Sequence, residues 1–491
     1  MDVHSDYQPV MGLEIHTQLA TNSKIFCSCP ARPSGSMTVA EVGANEYCCE
    51  VCAGHPGTLP VLNEQVVELA IRAGLALNCK INLDSVFSRK NYFYPDLPKG
   101  YQISQFDKPI CSDGYVDITT STGTKRIRVE RIHVEEDAGK NLHFGEFSLV
   151  NLNRAGVPLI EIVSRPDIRS PEEASAYMKA VYDLVTAVKV CDGNLQEGNF
   201  RCDANVSVMK KGSDTYGTRA EIKNVNSFRF VEQAVTYEIE RQIGVIESGG
   251  KVVLETRQYD SAKGVTVSLR SKEEAHDYRF FPEPDLLPLH LTEAQIERIK
   301  ASLPELPHAR KIRYESELGL SSYDASVLME NAQWVELFEG ALKLAGQNGK
   351  SYAKTFTNFI TGEISRIEKE LGVSIAATAL KTHHLVEVAE MLDQKLISAS
   401  VAKQLVPEVC ASGSSFKALA ESKGLIQVND QAALDKAIEQ VLKQCPEQVL
   451  EFRAGKEKLL GFLVGQAMKA MQGKANPAML QELLKSRLKQ Q

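Results

Sequence analysis

The sequence predicts an α+β protein, with a mainly antiparallel sheet over residues 1–292 followed by all-α segments to residue 491. Three observations carry this. Before about residue 290, short segments alternate apolar and polar residues between Gly, Pro, Asn and Asp, the two-residue period of half-buried strands. After it, stretches such as Glu363–Leu371 and Leu434–Leu450 space their apolar residues as helices do. Between the two, Phe281-Pro-Glu-Pro-Asp-Leu-Leu-Pro288 has prolines too closely spaced for helix and reads as an extended connector. Roughly 200 helical residues exceed one simple bundle. A second break is therefore expected at the small-residue turn Ala411-Ser-Gly-Ser-Ser415, giving domains 1–292, 293–410 and 411–491.

Composition excludes several classes. At 491 residues, 43% hydrophobic and 24% charged, the chain is an ordinary globular protein of more than one domain. No run of about 18 apolar residues occurs, so no membrane-spanning helix is expected. The polar, acidic start Met1-Asp-Val-His-Ser-Asp-Tyr7 is unlike a secretory signal or a transit peptide, which makes the cytoplasm the expected location. Net charge is -7 but uneven: residues 1–340 hold 36 basic against 48 acidic side chains, residues 341–491 hold 20 against 15. Much of the tail's excess lies after Leu450, with 8 basic and 3 acidic residues. An acidic body with a basic end suits a catalytic domain joined to a module that meets an anion such as nucleic acid.

Five of the eleven cysteines fall between Cys27 and Cys52. An odd cysteine count in a large chain of this kind argues against a disulfide scaffold. Cys27-Ser-Cys29 and, after 19 residues, Cys49-Glu-Val-Cys52 form two turns that each point two sulfurs inward. Two such turns make a tetrahedral thiolate set for a structural Zn²⁺ in a closed site. His55 is the weaker candidate ligand.

The strands carry acids on one face. In Gly12–Leu19, Leu13, Ile15 and Leu19 lie largely on one face and Glu14, His16 and Gln18 on the other. Three acids crowd the end of Arg131-Ile-His-Val-Glu-Glu-Asp-Ala-Gly-Lys140. Glu161 stands alone in the apolar run Val157–Val163, a costly position unless it is paired or binds a metal. In Phe200–Val208, Arg201, Asp203, Asn205 and Ser207 share a face, and Arg219, Glu221 and Lys223 repeat the device. Such a sheet would carry Mg²⁺ through oxygen ligands, while its Arg and Lys steady phosphoryl oxygens. Gly346-Gln-Asn-Gly-Lys-Ser351 lacks the glycine spacing of a phosphate loop and follows a helix-like stretch, so it is set aside.

Longer motifs add a resemblance. Met11-Gly-Leu-Glu-Ile-His16, Ser88–Gln105 (SRKNYFYPDLPKGYQISQ), His133-Val-Glu-Glu-Asp-Ala-Gly-Lys140, Arg201–Ser207 and Asp277–Asp285 resemble the B subunits of tRNA-dependent amidotransferases. So do Gly461–Lys469 and Gly473–Pro477 in the tail. Those enzymes convert Glu-tRNA(Gln) or Asp-tRNA(Asn) to the amide. The resemblance implies a glutamine-synthetase-like cradle, an ATP-dependent activation of the side-chain carboxylate, and ammonia from an amidase (glutaminase) A subunit, with a small C subunit completing the complex. It puts Mg²⁺ ligands at His16, Glu136 and Glu161, with Glu14, Glu135, Arg201 and Asp203 as catalytic neighbours. It keeps Zn²⁺ on Cys27, Cys29, Cys49 and Cys52, with Cys48 an alternative fourth ligand. It gives the tail, through Arg453, Lys456, Lys458, Lys469 and Lys474, to tRNA. Two other readings compete. A stand-alone ligase of a free amino acid would need no basic tail, and a zinc-containing RNA adaptor would need no buried Glu161.

Overall fold

The computed structural model describes residues 6–33, 41–271, 278–427, 431–453, 456, 458–471, 475 and 477–490. Its centre is a nine-stranded sheet. In chain order the strands are β1 (Tyr7–Gln18), β2 (Lys80–Ile81), β3 (Cys111–Thr120), β4 (Gly123–Glu136), β5 (Pro158–Ser164), β6 (Phe200–Lys210), β7 (Ala220–Lys223), β8 (Glu255–Asp260) and β9 (Val265–Ser271). They lie side by side as β9-β8-β7-β6-β1-β5-β4-β3-β2. Every neighbouring pair is antiparallel except β7 with β8, so the sheet is mixed but close to the expected one.

The alternation seen in the sequence sets the two faces. Leu13, Ile15, Ile132, Ile160, Ile162, Cys202, Ala204 and Val206 are buried in one hydrophobic core. Helices α1 (Glu64–Ala76), α2 (Pro171–Ala187) and α3 (Phe228–Glu247) contribute Val66, Tyr177, Val181 and Val231 to that core. The start of α2 shows how local chemistry fixes these helices. Ser170 accepts a hydrogen bond from the Glu173 amide, and Pro171 occupies the first helical position, where it sacrifices no bond. The opposite face of the sheet keeps the charged residues.

The first compact unit extends to Pro307, beyond residue 292. Two long-range pairings explain this. The proline-rich segment is extended, but Phe281–Pro282 pairs with Arg89 and Ser88, and Leu289–His290 pairs with Ser85 and Asp84. Glu283 is buried against Arg89, with a 2.7 Å bond to Nε. The next helix, Glu293–Ala301, puts Ile299 into the sheet's own core.

The second unit, His308–Gln491, is helical and contains two hydrophobic clusters. The turn at 411–415 lies inside the first of these, which includes Phe416 and Ala420, rather than between them. The second cluster is built from Leu434, Ile438, Leu463, Leu480 and Leu484. Leu434–Leu450 is not one helix: Gln431–Gln444 stops and Pro446–Arg453 starts. Pro446 lacks the amide that a helix interior requires and suits a first turn. Likewise Glu363 belongs to a π-helical turn, Phe359–Ile364, that precedes the helix Ser365–Leu371.

Candidate active site and cysteine cluster

The polar face is organised by strand register. Glu161 on β5 lies directly opposite His133 on β4 and His16 on β1, and His16 lies opposite Arg201 on β6. A transverse row therefore runs His133, Glu161, His16, Arg201 across four adjacent strands. Glu161 Oε2 is 3.4 Å from His16 Nε2 and 3.4 Å from His133 Nε2. Glu135 closes the group, its Oε2 being 3.6 Å from His133 Nε2 and 3.4 Å from Ser104 Oγ. His16, Glu135 and Glu161 have ligand atoms within 4.8 Å of one another.

Glu136 does not join this set. Its side chain turns to the other face, as the period of two requires one residue after Glu135. There it forms an ion pair with Lys99 and accepts from the Ile103 amide at 2.9 Å. The geometry of β4 thus sets Glu135, and not Glu136, beside His16 and Glu161.

The remaining expected residues fall close by. Glu14 lies opposite Asp203 and accepts from Asn205 Nδ2 at 2.9 Å. Glu14, Asp203 and Glu221 form a second acidic group, and Lys223 bridges its latter two members. Asp203 also accepts from the Asn224 amide at 2.9 Å. Arg201 is held by Asp137 at 3.2 Å, and Gln18 donates to the same carboxylate at 2.9 Å. Beside Glu14 a cavity of about 390 Å³ is lined by Arg131, Asn205, Ser207, Tyr216 and Arg219.

The electrostatics follow from burial and pairing. Burial works against charge on both imidazoles, but the Glu161 and Glu135 carboxylates outweigh it. His133 is raised to about 9 and His16 also lies above its ordinary value. Burial likewise opposes ionisation of Glu161 and Glu135, yet His133 and His16 hold Glu161 well below the usual range, and His133 holds Glu135 below it. Glu14 is raised, first by burial and then by the Glu161 charge. The donor chemistry fits a hard divalent ion: two carboxylates suit Mg²⁺ and the imidazole also admits Mn²⁺.

A pH prediction follows for the ion-free protein. A group whose pKa is raised on folding stabilises the fold below its unfolded value and loses that effect as pH rises through the folded one. The melting temperature should therefore fall between about pH 6.5 and 9, the interval set by His133. In His133→Asn this slope should flatten. A melting profile that is level over this interval in the unsubstituted protein contradicts the pairing.

The cysteines converge separately. Sγ atoms of Cys27, Cys29, Cys49 and Cys52 lie within 4.8 Å of one another, at 3.5 Å for Cys27–Cys52 and 3.8 Å for Cys49–Cys52. Zn–S bonds of about 2.3 Å in a tetrahedron place sulfurs about 3.8 Å apart, so the set fits zinc. All four are free thiols. Cys48 and His55 stand outside the group; Cys48 Sγ faces the Cys49 carbonyl. Cys52 is lowered to about 4, first by the hydrogen bond from Cys27 and, against burial, by the Lys24 charge.

In the tail, Arg453, Lys456, Lys458 and Lys469 are exposed, and Lys456 pairs with Glu451 at 3.2 Å. Lys474 lies outside the described residues. Two residues went unassigned in the sequence. His133 had a signal, because it shares the face of Glu135 in the alternation from Arg131. Lys24 had none; its place is set by loops that are distant in the chain.

Comparison with known proteins finds one family along nearly the whole chain. Residues 9–297 match the GatB/GatE catalytic domain and residues 336–488 match the GatB domain. The chain is 50% identical over 486 residues to the B subunit of the aspartyl/glutamyl-tRNA(Asn/Gln) amidotransferase of Nitratidesulfovibrio vulgaris (strain DP4), covering 99% of this chain and 100% of that one. It is 52% identical over 489 residues to the protein of the same name from Geobacter sulfurreducens, with coverage of 99% and 100%. For that of Myxococcus xanthus (strain DK1622) the figures are 52% over 486 residues, 99% and 99%.

Proposed function

The chain belongs to the GatB family of aspartyl/glutamyl-tRNA(Asn/Gln) amidotransferase B subunits, and from this premise we propose how its residues serve that reaction. The complex transfers the γ-phosphoryl group of ATP to the side-chain carboxylate of Glu-tRNA(Gln), Asp-tRNA(Asn) or both, releasing ADP. Ammonia then attacks the acyl phosphate, and inorganic phosphate leaves with the bond to carbon. A free carboxylate has too poor a leaving oxygen for this exchange, and phosphorylation repairs that. The ammonia comes from an amidase A subunit, with a small C subunit completing a cytoplasmic complex. Among the described residues no helix is long and apolar enough to cross a membrane.

The row His133, Glu161, His16, with Glu135 beside it, is the observation that carries the reading. His16, Glu135 and Glu161 hold Mg²⁺, which when bound gathers and neutralises phosphate oxygens. His133, with its Nε2 3.4 Å from Glu161 and 3.6 Å from Glu135, orients both carboxylates. Arg201, fixed by Asp137, and Lys223, fixed by Asp203, meet the charge that develops on the transferring group. Glu14 and the adjoining cavity with Arg131 and Arg219 border the nucleotide. The one-sided sheet acts as a glutamine-synthetase-like cradle. The test is ADP formation by the purified complex with Glu-tRNA(Gln) or Asp-tRNA(Asn) present. It should require the misacylated tRNA, and ATP cleavage at the same rate with free glutamate or aspartate would favour the stand-alone ligase instead.

Cys27, Cys29, Cys49 and Cys52 hold a structural Zn²⁺, and Arg453, Lys456, Lys458, Lys469 and Lys474 serve the tRNA. Elemental analysis of protein purified without chelators should find about one zinc per chain. Cys49→Ser should lose it and Cys48→Ser should keep it. Zinc lost from Cys48→Ser but kept by Cys49→Ser would exchange the two assignments.

A further inference from the structure

Lys24 is fully buried, at 0% exposure. An ammonium in such a place is costly unless its charge and its donors are all met. Its Nζ donates to the Tyr47 carbonyl at 2.6 Å, the Leu152 carbonyl at 3.3 Å and Cys52 Sγ at 3.3 Å. Three acceptors use the three N–H donors of an ammonium, and of the three only the sulfur can carry a full negative charge. A four-thiolate zinc centre has a formal charge of -2, which a cation against one sulfur offsets in part.

We infer that Lys24 is a positioning residue of the zinc centre: its ammonium hydrogen-bonds the Cys52 thiolate, partly neutralises the centre and ties it to the loop that enters β5. This rests on the zinc reading above. The tie is built from several segments. The Lys24 amide donates to the Cys29 carbonyl at 2.9 Å, inside the first cysteine turn. The Ile25 amide donates to the Gly156 carbonyl at 2.9 Å, and the Gly156 amide to the Asp137 carbonyl at 2.9 Å. Asp137 is the carboxylate that holds Arg201. Lys24 thus joins both cysteine turns and the 152–157 loop, and its neighbour Ile25 carries the tie on toward Asp137 at the edge of the polar face. A hydrogen bond from a cation also lowers the sulfur's reactivity, so the centre should resist loss of its ion.

The experiment uses the purified full-length protein and follows zinc passing to a chromogenic chelator. Lys24→Met keeps the stem but removes charge and donors, and should release zinc roughly 10–100-fold faster, the affinity usually lost with a partner of a metal ligand being expressed in the release rate. Lys24→Gln keeps donors for the two carbonyls while removing the charge. It is the second variant should the first not fold, and it should also release zinc several-fold faster. A lysine that only supports the fold would lower the melting temperature without moving the release rate. Zinc in the unsubstituted protein with both variants releasing it at the unsubstituted rate overturns the role of Lys24 and leaves the zinc reading standing. No zinc in the unsubstituted protein overturns both.

Discussion

Glu161→Gln should cut aminoacyl-tRNA-dependent ATP cleavage by about 10³-fold or more, equivalent to about 4 kcal/mol of transition-state stabilisation. The substitution keeps the shape of the side chain and removes its charge. Glu161 is the shared partner of His16 and His133. Without its charge both imidazoles lose the carboxylate that outweighs their burial, and the divalent ion loses a ligand at the centre of the row. His16→Ala should do comparable damage by removing the facing ligand. Residual activity within roughly threefold of the unsubstituted enzyme for both variants contradicts the assignment. The folded state should survive, because the apolar face beneath, with Ile160 and Ile162, is untouched.

Ending the chain after Ile426 should raise the KM for misacylated tRNA strongly while leaving occupancy by ATP and Mg²⁺ nearly unchanged. The cut falls between the two helical clusters, so the one containing Phe416 and Ala420 stays whole. The body of the chain is acidic and repels RNA unless a basic module or a partner subunit holds it. Within the tail, Arg453→Ala, Lys458→Ala and Lys469→Ala should each flatten the dependence of log affinity on log salt by about one unit if each touches a phosphate. Lys456→Ala should have a smaller effect, since that ammonium already has Glu451 as a partner. An unchanged tRNA affinity in the shortened complex would assign recognition to the partner subunits.

How much of this was legible in the sequence depended on the range of the interaction. The alternation of Leu13, Glu14, Ile15 and His16 announces β1 and its two faces without any knowledge of neighbours. The solitary Glu161 in an apolar strand likewise announces a partner, though not which one. Strand register supplies that identity, by setting His133 and His16 on either side of it. Glu135 and Glu136 illustrate a local rule that was available: counting by twos from His133 selects Glu135. The prolines after Phe281 show in sequence alone that the segment is not helical, but its pairing with strands near Ser85 and Arg89 is a contact across about 200 residues of chain. No composition pattern reveals such a pairing, so the first unit runs past the expected edge to Pro307. Pro446 was a local stop signal inside a helical stretch, and the helix breaks there. Lys24 left no trace in sequence, because its burial arises only when the cysteine turns and the 152–157 loop close around it.

In the proposed site His16, Glu135 and Glu161 together hold a divalent ion on the polar face of the sheet. Titration of the purified complex with Mn²⁺, read by electron paramagnetic resonance, tests it most directly. The unsubstituted protein should bind one Mn²⁺ that Mg²⁺ displaces. Binding should be lost or weakened at least tenfold in His16→Ala, Glu135→Gln and Glu161→Gln, and kept in Glu136→Gln, whose carboxylate lies on the other face with Lys99. Loss of the ion in Glu136→Gln with retention in Glu135→Gln, or equal binding in Glu161→Gln, would contradict the account.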